Sequence, residues 1–127
     1  VELIAAMAVL AIAIVPATQY LTKSMTLRRH MERSRTLGIL AIQTIENQMA
    51  VINGGFTTGN ETGTFASQGF PTVAYEVVRT DAAGEGGIPN LLMVIHVRVW
   101  SDDDGDLIFD ATESDVELHT KMARSIE

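Results

Sequence analysis

No cysteine occurs in the 127 residues, which removes disulfides, zinc–thiolate centres and thiol nucleophiles at once. Proline is nearly as sparse, with Pro16, Pro71 and Pro89 the full set. After Pro16 none recurs before Pro71, and Gly38 is the single glycine before Gly54, so nothing breaks a helix over 17–52. Basic residues are also short: nine Lys and Arg against sixteen Asp and Glu, for a net charge of −7. The shortage is local, since residues 1–50 sum to +2 and residues 51–127 to −9. An acidic C-terminal portion argues against a nucleic-acid partner, which requires a basic face. The length suits one small domain.

What the chain does have is a hydrophobic start. "VELIAAMAVLAIAIVPA" places one carboxylate, Glu2, before an uncharged run closed by Pro16. Residues 3–15 are short for a bilayer span, which takes roughly 20 apolar residues, but extension through Leu21 comes close. Without a basic stretch before it or a clear small-residue cleavage pattern, a retained anchor is expected rather than a cleaved signal. Lys23, Arg28, Arg29, Arg33 and Arg35 then follow, where a segment leaving a bilayer meets anionic head groups. Glu2 is the anomaly, because a carboxylate near hydrocarbon costs on the order of 2.5–3.5 kcal/mol and usually has a partner or a function. Its alternative is an interfacial place at a helix N-terminus, favoured by the dipole.

This segment resembles the N-terminal helix of type IV pilins and type II secretion pseudopilins. Mature chains of that family usually begin Phe-Thr-Leu-(Leu/Ile/Val)-Glu, so Val1-Glu2-Leu3 matches the end of the motif and three residues are expected before Val1. The resemblance is specific over about residues 1–22. Residues 31–50 and the stretch 91–100 look somewhat like the I-type minor pseudopilins. Pro16 lies three residues closer to the glutamate than the usual pilin proline. The resemblance implies that Glu2 neutralises the N-terminal amine of a neighbouring subunit during assembly. It also implies a homopolymer in a helical filament, residence in the bacterial inner membrane before assembly, and contact with a pilus or secretion assembly machinery. The product is then an extracellular filament or a periplasmic pseudopilus.

An α+β fold is expected: one long helix over about 2–52, interrupted near Pro16, with a small antiparallel sheet on its C-terminal half. A helix of fifty residues measures roughly 75 Å. The first 22 residues form the membrane and polymerisation segment, and 23–127 the head. Gly38, Ala41, Ile42, Ile45, Met49 and Ile52 recur at helical spacing and predict the face against the sheet, with Gly38 allowing close approach. Asn53-Gly54-Gly55 reads as the helix end. Residues 53–70, rich in Gly and Thr, read as a loop. Within it Asn60-Glu61-Thr62 fits the N-glycosylation pattern, with a chance triplet as the plainer reading. Strands are predicted at 73–78, with Val73, Tyr75 and Val77 on one face, and at 91–100, with Met93, Ile95, Val97 and Val99 inward. "LIFD" (107–110) and "VELHTKM" (116–122) read as two more.

No enzymatic constellation is visible. His30, His96 and His119 fall in three elements without metal-ligand spacing, Gly84-Glu85-Gly86-Gly87 lacks the Lys-Ser/Thr of a phosphate loop, and no Gly-x-Ser-x-Gly occurs. Trp100 is expected to pack at a strand edge. No cofactor is required by these patterns. Calcium is the one candidate ion: Asp102, Asp104 and Asp106, with Asp110 beyond, set oxygen ligands at alternate positions around Gly105. The full EF-hand pattern is absent, and a solvated hairpin turn with positive φ at Asp104-Gly105 is the competing reading. Two functions follow, a polymerising structural subunit or a membrane-anchored module acting alone, and filament formation separates them.

Overall fold

The computed structural model describes residues 1–126. One helix, α1 (Glu2–Gly54), precedes four strands, β1 (Gly59–Phe65), β2 (Phe70–Thr80), β3 (Leu92–Ser101) and β4 (Asp115–Ala123). The class is α+β. The chain divides into two compact units, Val1–Arg33 and Ser34 onward.

The first unit is helical from Glu2 onward and every residue of it is exposed. The helix runs through Pro16 without a gap, so the expected interruption is not an unwound turn. Proline removes one hydrogen bond, that to the Ile12 carbonyl, while the turns on both sides stay bonded. Just beyond, Thr18 Oγ1 donates to Ile14 O at 2.9 Å, Thr22 to Thr18 O at 2.9 Å and Thr26 to Thr22 O at 3.0 Å. These back-bonded hydroxyls carry their own acceptors, so threonine fits a segment deprived of water. The helix contains an 18-residue window of mean hydropathy 2.0 and is long and apolar enough to cross a membrane.

In the second unit the strands form an antiparallel meander in the order β1-β2-β3-β4. Alternation works as predicted at its centre: Met93, Ile95, Val97 and Val99 of β3 and Val77 of β2 are fully buried beneath the C-terminal turns of α1. The helix face shares Ala41, Ile45 and Ile52 with the predicted stripe and differs in the rest. Leu37, Leu40, Ala41, Thr44, Gln48 and Ile52 are buried, whereas Ile42 and Met49 are exposed. Gly38 has no close neighbour either, since an added Cβ meets nothing within 4 Å among the described residues.

The cause is polar. Gln48 Oε1 accepts from Arg79 Nη1 at 2.7 Å, and Gln48 Nε2 donates to Glu61 Oε2 at 3.0 Å. Arg79 pairs with Glu61 Oε1 at 3.3 Å. Arg79 projects from β2 onto the core face, so its charge has to be met from the helix and from β1. This rotates Gln48 inward and turns Ile42 out.

Two further expectations are corrected. The loop assigned to 53–70 contains β1, paired residue for residue with β2 from Gly59↔Arg79 to Thr64↔Ala74. "LIFD" is not a strand; residues 102–114 form one long β3–β4 connection. Its Phe109 ring meets Trp100 edge-on at 6.1 Å and carries the Arg98 guanidinium 4.5 Å from its centroid. Trp100 is thereby buried to 2% exposure on the outer face of β3, a deeper position than an edge.

Candidate functional site

Three places carry the candidate chemistry. At the N-terminus Glu2 is exposed in the first helical turn, followed by Leu3, Ile4, Met7, Val9, Leu10 and Ile12, all more than 60% exposed. They point around the whole helix, so the segment has no polar face to give to water. Pro16 lies four residues after Ile12 on this surface.

The second place is the β3–β4 connection. It is built by carboxylates accepting backbone amides. Both oxygens of Glu113, buried at 8% exposure, are used: Oε1 by Asp103 N at 3.2 Å and Oε2 by Asp110 N at 3.0 Å. Asp102 Oδ2 accepts from Leu107 N at 3.2 Å, and the positive φ angles fall at Gly105 and Leu107 rather than at Asp104. The turn itself, residues 103–108, is exposed, while Asp102 and Glu113 at its base are buried. Asp102, Asp104 and Asp106 each offer an oxygen within 4.8 Å of the others. Asp102 is buried to 6% exposure, and its Oδ1 has no hydrogen-bond partner among the described residues. Asp110 stands apart, its Oδ1 accepting the Thr112 amide at 3.1 Å. Asn60, the candidate glycosylation residue, is exposed on β1 opposite Val78.

The third place is one that spacing along the chain does not reveal. Antiparallel pairing sets His96 directly across from His119 and Arg98 across from Glu117. The two imidazoles stack with centroids 4.2 Å apart and planes at 10°. Glu117 Oε1 lies 2.5 Å from His96 Nε2 and 3.2 Å from His119 Nε2. Glu117 Oε2 accepts from Arg98 Nη2 at 3.0 Å. That hydrogen bond from Arg98 holds the Glu117 carboxyl below its ordinary range against the opposing effect of burial, with the Arg98 charge and the His96 contact adding in the same direction. His30, on α1, belongs to the first unit and takes no part in this cluster. The signal in the sequence was the shared outward phase of His96 on β3 and His119 on β4, but only the strand register makes it a pair.

Comparison of the chain with protein-family models, curated proteins and solved structures found no match.

Proposed function

We propose that the chain is a structural subunit of a type IV pilus-like extracellular filament and polymerises through its N-terminal helix. The observation that carries this reading is the exposed apolar surface around residues 3–15 with one carboxylate, Glu2, at its start. A monomer leaves that surface to lipid; a bundle of like helices covers it and gives each Glu2 a neighbour's amine. In the second unit Ile39, Ile42 and Val51 are also about half exposed on α1, further apolar area for contact between copies. The resemblance of residues 31–50 and 91–100 to I-type minor pseudopilins favours one second reading, a subunit of a type II secretion pseudopilus. In both cases the partners are copies of the chain, the inner membrane before assembly and the assembly machinery.

Glu2→Gln tests the ion pair. The change keeps size and removes charge, so a buried amine loses its counter-ion, a loss worth about 3–5 kcal/mol when one partner of a buried pair is removed. Fibre yield is expected to fall sharply while the thermal unfolding of the sheet unit stays the same. An unchanged yield would place Glu2 at the interface as a helix-terminus charge instead.

Calcium in the Asp102 loop accompanies this proposal. The donors are hard oxygens, and the unpaired Asp102 Oδ1 beside Asp104 and Asp106 suits an ion that takes six to eight of them, the remainder from water and backbone. At tenfold saturation such binding raises the melting temperature of a small domain by about 5 °C. That rise is expected for the full chain in detergent with millimolar calcium, and it should vanish in Asp102→Asn/Asp104→Asn. The same melting temperature with and without calcium would leave a carboxylate-ordered turn.

A further inference from the structure

We infer that His96, His119 and Glu117 form a binding site for a borderline divalent transition metal, of the zinc, nickel or copper(II) class, clamping β4 to β3. The donor set decides the class. Two imidazole nitrogens and one carboxylate oxygen suit these ions, whereas calcium and magnesium call for oxygen alone. The three donor atoms lie within 4.8 Å of one another. Around a four-coordinate zinc ion with bonds of 2.0–2.2 Å, neighbouring donors stand roughly 3.3 Å apart. The 3.2 Å between His119 Nε2 and Glu117 Oε1 already fits that edge; the His96–Glu117 edge has to open by less than about 1 Å, and the two stacked rings, now at 10°, have to tilt so that their in-plane lone pairs converge on the ion.

The surroundings are those of a ligand set rather than of a finished hydrogen-bond network. His96 Nε2 is buried and meets Glu117 Oε1 at 2.5 Å, close enough to help hold the carboxyl ionised but poorly aligned for a hydrogen bond. An ion between the donors would use the lone pair that this contact wastes. Arg98 holds the second oxygen of Glu117 at 3.0 Å and reaches Asp115 Oδ2 at 3.5 Å, which orients the carboxylate from behind. The nearest other cation on β4, Lys121, leans elsewhere: its Nζ would lie 3.1 Å from a Cβ added at Gly86. His119 is the exposed member at 60%, and His96 is 24% exposed. The site thus opens to solvent on one side and leaves a coordination position for water or for a donor from a partner.

β4 is an edge strand held on one side only. A metal bound to the folded pair, and to neither strand alone, adds its binding free energy to the stability of that edge. The site does not depend on the filament reading, since every ligand comes from one sheet of one chain.

The test is titration of the full chain in detergent with cobalt(II) as a visible probe, then competition by zinc(II), with calcium as the contrast. One equivalent of cobalt is expected to give d–d absorption that zinc abolishes and calcium leaves intact. His119→Ala and Glu117→Gln are expected to weaken uptake by more than about tenfold, and His30→Ala to leave it unchanged. Because His119 is 60% exposed, its alanine variant should lose the His96 stack yet stay folded without metal, which separates lost ligation from lost folding. Absence of saturable uptake by the parent, or full uptake by a folded His119→Ala chain, would overturn the site.

Discussion

Arginine at Ile12 is expected to abolish fibres while leaving the sheet unit folded. Ile12 is 73% exposed in the middle of the apolar segment, so the substitution disturbs no contact within the chain. In a bundle of such helices, the same position meets hydrocarbon or another copy of itself. A central arginine costs about 2.5–3.5 kcal/mol on insertion scales, and in a bundle it would lose its route to the interface and face the like charge of neighbouring copies. Every subunit carries the change, so polymer length collapses well before monomer folding is affected. Ala8→Arg should behave alike. The measurement is fibre yield from sheared cells alongside circular dichroism of the detergent-extracted chain. Fibres at parental yield from either variant would exclude packing through this segment.

The largest effect on folding is expected at Trp100. It is buried to 2% exposure, faces Ala74 across the β2–β3 pair, and lies under Phe109 of the β3–β4 connection. Trp100→Ala opens a cavity for a cost of about 3–5 kcal/mol. That is a large part of the stability of a small domain. It also takes the floor from under Phe109, so the carboxylate-ordered loop that follows should loosen with it. The indole N–H has no partner among the described residues, so part of what tryptophan offers is wasted. Trp100→Phe, which keeps a ring and discards that donor, should therefore cost much less. Denaturant melts of the three chains check this, and equal losses for Phe and Ala would mean that ring burial is not what holds the loop.

The parts of this fold that were legible are those where one pattern acts alone. Ile95 to Val99 alternate cleanly because β3 is central and one face of it is pure core. The apolar run and Glu2 stand out because no tertiary contact modifies them. Prediction failed where a partner elsewhere rewrote the local preference. Gln48 is buried because Arg79 and Glu61 wait for it, and Ile42 is turned out by the same rotation. β1 has the composition of a loop and becomes a strand by pairing with β2. "LIFD" has the composition of a strand, but Asp102 and Glu113 bind the amides of its first and last residues, Leu107 and Asp110, and bend the connection back over Trp100. His96 and His119 meet only through the β3–β4 register, which no spacing along the chain encodes.

The most direct test of polymerisation is electron microscopy of the full chain produced together with a pilus or secretion assembly machinery, with the fibre subunit identified by mass spectrometry. Helical fibres of this chain are expected, with residues 3–15 of each copy packed against those of its neighbours around a common axis. A chain that stays in the membrane fraction, extracts as a monomer in detergent and yields no fibre would contradict it.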